Sequence, residues 1–575
     1  MKQDEFKLWV GGAAGDGIAS VGNTFFQICA RLGLHGFAYN SYQSVIRGGH
    51  VLWQAHFAPR KVYTQTDQCD ILIALNQDTI EREAKTAVKG VLFNSDRLRL
   101  DPAKLPAGSR SLGLPVSKMA SKPLLQNTVA LGAAAEIVGM EFRIVGDLLR
   151  DRFQKKGKEI VNENVEAARA GYDYARKNFP SFGIQLPTLK EPKMVMTGNE
   201  AIALGLLAAG CKFYSAYPMT PASSIMHWLS PRAARYGVVF KQAEDEIAAV
   251  NMALGAAFAG IRAMTATSGG GFALMTEAIG LAGMAEIPVV IGLVQRGGPS
   301  TGLPTKTEQA DLFQALGASQ GDFPKIILAP TTIPEAFEAT VEAFNLAEKY
   351  QCPVILMSDL LLSEHAETVE AGRLNLDVAI ERGVWARPGA DGDFRRYVDT
   401  DTGVSPRAIP GQEGLIHTGI SDEHDEKGHL ISDVATDPAM RIRMMNKRMR
   451  KMEFAARDLK APGIEGPPEA QLTLVGWGST CNMMAHLMRD LNANGDNRVN
   501  ILPIRTLWPF PSQAVRAILT RANKTAVIEC NYSAQLARLI RQETGFDIPH
   551  RILKYDGEPF YPNATKKQVE EVLGA

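Results

Sequence analysis

The chain has 575 residues, of which 45% are hydrophobic and 22% charged, and its 62 Lys and Arg residues balance its 62 Asp and Glu residues. This length and composition predict roughly three to four globular domains. A net charge of zero gives no electrostatic argument for nucleic acid or an anionic membrane as a partner, and the apolar runs fall short of the ~20 residues that a membrane-spanning helix needs.

The first region, residues 1–182, opens with a short strand pattern, "FKLWV", a glycine-rich turn from Gly11 to Gly17 and an apolar helix from Ile18 to Leu32. A glycine turn between a strand and a helix exposes amide groups at a positive helix end, which suits anions. The later runs "HVLWQAHF" and "CDILIALN" predict further strands of an α/β sheet.

The start of the chain leads directly into the first strand pattern, so we expect no signal peptide. The six cysteines are scattered, and no CxxC pair occurs. This pattern favours reduced thiols in a cytoplasm, and it argues against an iron–sulfur cluster or a zinc ribbon carried by this chain.

Strand and helix patterns and local composition divide the rest of the chain into three regions. Residues 193–370 alternate strand and helix patterns, which predicts a parallel sheet covered by helices on both faces. Residues 371–468 are polar and rich in Gly, Pro and Asp, as in an extended linker, and residues 469–575 predict a second, smaller α/β unit. Overall we expect an α/β protein with three α/β domains.

Within the linker, the segment from Arg441 to Lys451 predicts a solvated amphipathic helix with an apolar side formed by Ile442, Met445 and Met449.

The loop "YSAYPMTPAS" follows the first strand of the second region, and two prolines stiffen its backbone. Thr220 lies between Pro218 and Pro221. Its hydroxyl either faces a ligand or caps the helix that begins near Ala222, and the loop alone leaves both open.

Three more loops of this region follow strands. Glu246 starts a helix, Gly269 lies in the glycine turn "TSGGGF", and Arg296 precedes the hydroxyls of Ser300 and Thr301. In open α/β sheets ligands bind at the carboxyl ends of the strands, so we expect Thr220, Glu246, Gly269 and Arg296 at one edge.

Glu246 is the most informative of these residues. A carboxylate at a helix start is kept ionised by the helix dipole, and thiamine diphosphate is activated by a buried glutamate that bonds N1′ of its aminopyrimidine. Simple charge placement is the alternative, and it is the better interpretation for Glu244. For Arg296, an arginine fork beside hydroxyls suits a carboxylate. The alternative is a structural loop whose arginine pairs with an acid elsewhere.

Other patterns predict no site. Gly12, Gly15 and Gly17 stand in the wrong order for a nicotinamide fingerprint. The "GDG" of residues 15–17 resembles the start of a diphosphate–magnesium motif, but Asn40 comes too early to complete it. The stretch His424 to His429 matches no ligand spacing and predicts a solvated loop, so no metal is expected on this chain.

Five segments together resemble the alpha subunit of 2-oxoacid:ferredoxin oxidoreductases, most closely those acting on 2-oxoglutarate. They are "TGNEAIALGLLAAG", "AYPMTP", "EDEIAAVNMALGAAFAG", "TATSGGGF" and "GPSTGLPTKTEQADL". Residues 1–182, with the glycine turn and "RGGH", are similar to the gamma domain of that family, fused N-terminally. Two residues depart from the family pattern: Met219 stands where the proline loop has isoleucine, and Ala14 where the gamma turn has glycine.

The resemblance implies oxidation of a 2-oxoacid with CoA to acyl-CoA and CO2, with electrons passed to ferredoxin, or the reverse reaction. Residues 193–370 would be the pyrimidine domain of a thiamine diphosphate enzyme, and residues 469–575 a transketolase-C-terminal-like domain. Glu246 would match the glutamate that bonds N1′, with Pro218 and Gly269 beside the cofactor. Thr220 and Arg296, with Ser300 and Thr301, would bind the 2-oxocarboxylate.

In the family, the diphosphate–Mg²⁺ motif and the [4Fe-4S] ligands lie on a separate beta subunit. The resemblance therefore implies a beta-subunit partner in an (αβ)2 assembly that shares thiamine diphosphate, with ferredoxin as electron carrier. For 2-oxoglutarate, Arg47 and His50 are candidates for the second carboxylate. Pyruvate and branched-chain or aryl 2-oxoacids remain open as substrates, and so do a non-catalytic α/β binding protein and a nucleotide-dependent dehydrogenase.

Overall fold

The computed structural model describes residues 3–44, 48–387, 394–431 and 437–574. The strands, in chain order, are β1 (Phe6–Ala14), β2 (His35–Ser41), β3 (Gly48–Ala58), β4 (Cys69–Ala74), β5 (Ala87–Asn94), β6 (Arg110–Leu114), β7 (Met194–Thr197), β8 (Phe213–Ala216), β9 (Val239–Gln242), β10 (Ala263–Thr267), β11 (Val289–Gln295), β12 (Ile326–Leu328), β13 (Pro353–Asp359), β14 (Ala366–Val369), β15 (Leu472–Gly476), β16 (Val499–Pro503), β17 (Thr506–Trp508), β18 (Thr525–Glu529) and β19 (His550–Leu553). The α-helices are α1 (Ile18–Arg31), α2 (Gln77–Glu83), α3 (Gln126–Ile137), α4 (Phe142–Phe153), α5 (Lys158–Asn178), α6 (Gly198–Ala208), α7 (Ser223–Leu229), α8 (Glu246–Phe258), α9 (Gly269–Met284), α10 (Leu312–Gly317), α11 (Ile333–Tyr350), α12 (Leu360–Glu364), α13 (Pro438–Asp458), α14 (Thr480–Leu491), α15 (Ser512–Arg521), α16 (Gln535–Thr544) and α17 (Pro562–Gly574).

The chain forms two compact units. The first contains Met1–Thr197, His365–Arg373 and Tyr561–Lys566, and the second contains Gly198–Glu364, Leu374–Phe560 and Lys567–Ala575. Both are α/β, as predicted. None of the helices in the described ranges combines the length and the apolar character that a bilayer crossing requires.

The first unit is built on a mixed sheet with the strand order β6-β5-β4-β1-β3-β2-β14-β7. β1, β4, β5 and β6 run parallel, whereas β3, β2, β14 and β7 pair antiparallel. Two of its strands, β7 and β14, come from the range 193–370 that the sequence assigns to the second domain. Such short segments join whichever sheet edge offers free backbone groups, and no local pattern reveals that partner.

The second unit carries two sheets. The larger has the order β17-β12-β13-β11-β10-β8-β9 and is parallel except for β17, which pairs antiparallel with β12. Every residue of β11 and β13 is buried, as expected for strands covered on both faces. The smaller sheet, β16-β15-β18-β19, is entirely parallel. Residues 469–575 thus supply this sheet and also one border strand, β17, of the larger sheet.

The basic helix α13 differs from its prediction. Ile442, predicted to be apolar-side, is 61% exposed, while Lys447, Arg448 and Lys451 are buried. Lys447 and Lys451 each lie 2.5 Å from a carboxylate oxygen of Glu286, which is itself fully buried. The helix is therefore not simply solvated, because its basic residues form ion pairs inside the second unit. A hydropathy pattern cannot reveal this, since it counts every lysine as a surface residue.

Other parts of the predicted linker are held in the same way. Glu348 forms ion pairs with Arg262 at 2.8 Å, with Arg382 at 2.6 Å and with Arg407. Since Glu348 lies on α11 and Arg382 and Arg407 lie in the polar segment, buried charges fasten that segment to the unit. His424 is also buried, with its Nδ1 2.8 Å from the carbonyl oxygen of Asp422, so the predicted solvated loop is wrong at this residue.

Candidate active site

The second unit places four loops at the carboxyl ends of adjacent parallel strands. The proline loop follows β8, Glu246 follows β9, Gly269 follows β10, and Arg296 follows β11. These strands are neighbours in the order β11-β10-β8-β9, and β8, β9, β10 and β11 run parallel. Thr220, Glu246, Gly269 and Arg296 therefore lie along one edge of the sheet.

Arg296 and Thr220 are in direct contact. The Nη1 atom of Arg296 donates a hydrogen bond of 2.7 Å to the carbonyl oxygen of Thr220. The helix after the proline loop begins at Ser223 with Ala222 as its N-cap and has no side-chain capping bond, so Thr220 does not cap it. Thr220 is half-buried, and Pro218 is exposed.

Glu246 is buried, with 3% of its surface exposed. It is the first residue of α8, where the preceding Asp245 caps the helix by accepting a hydrogen bond of 2.7 Å from the amide of Ala248. Asp245 is therefore the residue that caps the helix, and the carboxylate of Glu246 is not its N-cap. Its Oε1 lies 3.5 Å from Oγ1 of Thr267, the last residue of β10.

The glycines of "TSGGGF" form the first turn of α9 rather than a separate turn. A Cβ on Gly271 would lie 2.8 Å from Cδ of Glu246 and closer still to Oγ1 of Thr267, and a Cβ on Gly269 would lie 2.8 Å from Oδ1 of Asp311. Missing side chains thus let two carboxylates approach this helix end. Ser268, the N-cap of α9, is buried and its Oγ has no hydrogen-bond partner among the described residues.

The loop after β11 is tied down at several points. The amide of Gly298 donates to Oε2 of Glu308 at 3.0 Å, and Lys306 pairs with Glu558. Farther along, Nε2 of Gln309 donates to Oδ2 of Asp359 at 3.1 Å. Ser300 and Thr301 stay exposed at the tip, so the loop holds two hydroxyls on an anchored backbone.

Among the described residues, no structural ion pair neutralises the positive charge of Arg296. Within the described part of the chain it forms no ion pair with a carboxylate, which argues against the structural-loop alternative. Burial lowers the pKa of its guanidinium, while the charges of Asp311 and Glu246 raise it. A guanidinium that bonds a backbone carbonyl but forms no ion pair among the described residues is suited to an anionic ligand.

Asp311 is the residue of this site that the sequence analysis missed. Burial, helped by the charge of Glu308, raises the pKa of its carboxyl to about 6, while Arg296 opposes the rise. Its position just before the helix "LFQALG" suggests an ordinary N-cap, but the side chain makes no capping bond. The sequence signal that could have revealed it is a carboxylate at the end of a glycine- and proline-rich loop that follows a buried strand.

His50 lies in the first unit, and Arg47 lies outside the described residues. The Nε2 atom of His50 is 3.1 Å from Oε1 of Glu83, and its Nδ1 is 3.5 Å from Oδ2 of Asp78. Both acids belong to α2. The role of Arg47 and His50 in binding a second carboxylate stays a prediction.

The glycine turn of the first unit contains an internal hydrogen bond. The carboxylate of Asp16 accepts a hydrogen bond of 2.7 Å from the amide of Ala13, and Gly17 takes a positive φ of 83° as the N-cap of α1. Because Asp16 binds a backbone amide of its own turn, the side chain of "GDG" already has a structural partner.

Three family matches cover most of the chain. Residues 204–443 match "Pyruvate flavodoxin/ferredoxin oxidoreductase, thiamine diP-bdg". Residues 7–174 match "Pyruvate ferredoxin/flavodoxin oxidoreductase", and residues 470–561 match "Pyruvate:ferredoxin oxidoreductase core domain II".

Relatives match along nearly the whole length. The 2-oxoacid:ferredoxin oxidoreductase subunit alpha of a Sulfolobus species is 31% identical over 98% of this chain and 96% of its own. The chain belongs to the alpha subunits of the 2-oxoacid:ferredoxin oxidoreductases. The 2-oxoglutarate oxidoreductase subunit KorA of Mycobacterium tuberculosis is 32% identical over 98% of this chain and 90% of its own.

A solved structure is similar over the full length. It is the 2-oxoglutarate:ferredoxin oxidoreductase of Magnetococcus marinus with 2-oxoglutarate, coenzyme A and succinyl-CoA bound, at a TM-score of 0.92 and 34% identity, with 100% of both chains covered. Membership of this family replaces the dehydrogenase and binding-protein alternatives, and confirms the resemblance on which the sequence analysis relied.

The residues at the strand ends fit a thiamine cofactor. A buried carboxylate, Glu246, packs against the side-chain-free first turn of α9, where a Cβ on Gly270 would meet nothing nearer than the Ser300 carbonyl oxygen at 3.8 Å. The buried Oγ of Ser268 lacks a partner among the described residues. These features belong to the segment 204–443 that matches the thiamine diphosphate-binding family.

Proposed function

We propose that this alpha subunit, with a beta subunit, oxidises 2-oxoglutarate with CoA to succinyl-CoA and CO2 and passes the electrons to ferredoxin, or runs the reverse reaction. The observation that carries this proposal is the buried Glu246 at the start of α8, beside the side-chain-free first turn of α9. The choice of 2-oxoglutarate is supported by the M. marinus enzyme, which binds that substrate and is similar over the full length.

Glu246 would hold N1′ of thiamine diphosphate, with Pro218 and Gly269 beside the ring. When bound, the cofactor supplies a carbanion at C2 that can add to the 2-oxo group. Glu246 is kept in place by the start of α8 and by Thr267, 3.5 Å away. Because α8 and Thr267 hold its carboxylate in place, Glu246 would share a proton with N1′ without moving.

Arg296 and Thr220 would bind the 2-oxocarboxylate, with Ser300 and Thr301 as further donors. The hydrogen bond from Arg296 to the proline loop fixes one end of the guanidinium and leaves its other N–H groups for the substrate. A carboxylate held in one orientation brings the 2-oxo carbon to the reacting position with little further loss of entropy.

The beta subunit would carry Mg²⁺ and the [4Fe-4S] cluster and would complete the thiamine diphosphate site in an (αβ)2 assembly. CoA would be the acyl acceptor, and the enzyme would act in the cytoplasm. The membership of the chain among alpha subunits supports a beta partner.

The test is 2-oxoacid- and CoA-dependent viologen reduction by the reconstituted pair, with 2-oxoglutarate and pyruvate compared. Glu246→Gln is expected to lower kcat by ~10²-fold or more, as for other groups that take part in proton transfer. The matched control is Glu244→Gln, since Glu244 is exposed two residues earlier. An unchanged rate in Glu246→Gln would refute the assigned role, and a preference for pyruvate would refute the substrate.

A further inference from the structure

Asp311 occupies a position in the candidate site that nothing in the proposed chemistry uses. It ends the anchored loop after β11, and its amide donates a hydrogen bond of 3.0 Å to Oε1 of Gln295. This bond holds the backbone of Asp311 beside Gln295, the residue that precedes Arg296. Its carboxyl group, which makes no cap bond to α10, packs against the α-carbon of Gly269 so closely that a Cβ there would lie 2.8 Å from Oδ1.

Two charged groups act on this carboxyl: Arg296 from the end of β11 and Glu308 from the same loop. Glu246 from α8 acts on Arg296 rather than on Asp311. Gly269, at the start of α9, brings no charge. Asp311 thus lies near one guanidinium and one other carboxylate, and Arg296 is the cation that an anionic substrate would meet.

We propose that Asp311 is a positioning residue that sets how strongly Arg296 attracts the substrate: its ionised carboxylate opposes the substrate carboxylate, and its protonated form leaves the charge of Arg296 to the substrate. The inference rests on the proposed function, because it takes Arg296 as the carboxylate site.

The direction of the effect follows from proton linkage. Burial raises the pKa of Asp311 to about 6, so the free site loses this proton as the pH rises through weakly acidic values. A bound anion beside Asp311 favours its protonated form and raises its pKa further. The site therefore takes up a proton when the substrate binds, and affinity falls as the pH rises.

Calorimetry on the assembled alpha–beta complex measures this uptake. The probe is 2-hydroxyglutarate, which keeps the carboxylate and the oxygen at C2 but has no 2-oxo group to be decarboxylated. Titrations at about pH 6.5 in two buffers of different ionisation enthalpy give the number of protons taken up. In the wild type we expect a clear fraction of a proton, and a Kd that rises roughly tenfold between about pH 5.5 and about pH 8, the factor for one unit of pKa shift.

Asp311→Asn removes the titrating group and nearly preserves its shape. We expect no proton uptake, and a Kd that stays close to the low-pH wild-type value across the whole range. A residue that merely supports the fold would weaken binding at every pH. Asp322→Asn is the matched control, because Asp322 is an exposed aspartate beyond α10, and it should retain the wild-type profile.

Glu308→Gln keeps Asp311 but shifts the midpoint pH of the fall in affinity. Removing the negative charge of Glu308 lowers the pKa of Asp311, so the fall in affinity should begin at lower pH. This variant tests the inference even if Asp311→Asn does not assemble. The inference is overturned if Asp311→Asn takes up as many protons as the wild type, if it weakens binding at every pH, or if Glu308→Gln leaves the midpoint where it was.

Arg296→Gln separates the inference from the proposed function. Affinity like that of the wild type in this variant would show that Arg296 is not the carboxylate site, and both would fail. Lost affinity in Arg296→Gln, together with unchanged proton uptake in Asp311→Asn, would overturn the inference alone.

Discussion

The hydrogen bond from Arg296 Nη1 to the carbonyl oxygen of Thr220, 2.7 Å long, joins the ends of two strands that are not neighbours. β10 lies between β11, which leads to Arg296, and β8, which leads to the proline loop. The bond therefore spans the strand that ends beside Glu246. It couples the two candidate substrate-binding loops, so a change in either loop should disturb the other.

Arg296→Lys tests this arrangement. Lysine keeps the charge but has one nitrogen, which cannot hold the Thr220 carbonyl and grip a carboxylate with a planar fork. We expect the KM for the 2-oxoacid to rise roughly 10- to 100-fold with a smaller change in kcat, the pattern of lost ground-state binding. The measurement is steady-state viologen reduction by the reconstituted complex, and Arg232→Lys, a change at an exposed arginine beyond α7, should behave as wild type.

Gly271→Ala tests the close packing behind Glu246. The added methyl group would press on Oγ1 of Thr267 and on the carboxylate of Glu246, so we expect a loss of activity and of about 1–3 kcal/mol of stability. Gly270→Ala is its neighbour control, since a Cβ there meets nothing nearer than the Ser300 carbonyl oxygen at 3.8 Å. Equal effects of the two substitutions in activity assays and urea unfolding would contradict the packing argument.

Glu286→Gln tests the buried ion pairs of α13. The charges of Lys447 and Lys451 hold the pKa of Glu286 below its ordinary value of 4.5, although burial alone would raise it. Removing the acid leaves two lysines without their partner, and we expect the free energy of unfolding to fall by about 3–5 kcal/mol.

The same group predicts a pH dependence. A carboxyl whose pKa is lowered in the folded state stabilises the fold above its ordinary pKa and loses that contribution as the pH falls. Wild-type stability should therefore decline below about pH 4.5 more steeply than that of Glu286→Gln. Urea unfolding at several pH values gives both quantities, and the exposed Glu277→Gln on α9 should match the wild type.

Glu348→Gln tests how the polar segment is fastened. Loss of this charge removes the shared partner of Arg262, Arg382 and Arg407. We expect trypsin to cut after Arg382 and Arg407 several-fold faster, because proteolysis follows the population of locally opened states. Mass spectrometry of the fragments identifies the sites. Glu413→Gln, in an exposed part of the same segment, should leave the cleavage rate unchanged.

The sequence predicted the strand–loop–helix units around the site because each is local. Proline and glycine fix loop ends, and apolar runs mark the strands, so Thr220, Glu246, Gly269 and Arg296 could be placed at strand ends from short windows. Asp311 was missed because its surroundings depend on burial and on a neighbour 42 residues earlier, Gly269.

Local sequence patterns could not predict the partner strands of β7 and β14 for the same reason. They also could not predict the ion-pair partner of the α13 lysines. Strand pairing and buried ion pairs join residues distant in sequence. Lys447 lies 161 residues from Glu286, and no periodicity links two such positions. A basic helix is usually solvated, and here three of its cations are instead buried.

The border strand β17 limits how this polypeptide can be divided. Thr506–Trp508 completes the edge of the larger sheet by pairing with β12, although it is separated from the rest of that sheet by more than a hundred residues of chain. A fragment that stops at residue 468 would leave the backbone N–H and C=O groups of β12 unpaired. Such an edge can pair with strands of other molecules, which promotes aggregation. Expression of the thiamine-binding part should therefore include β17 and also β18 and β19, because β15 would otherwise lose its neighbour β18.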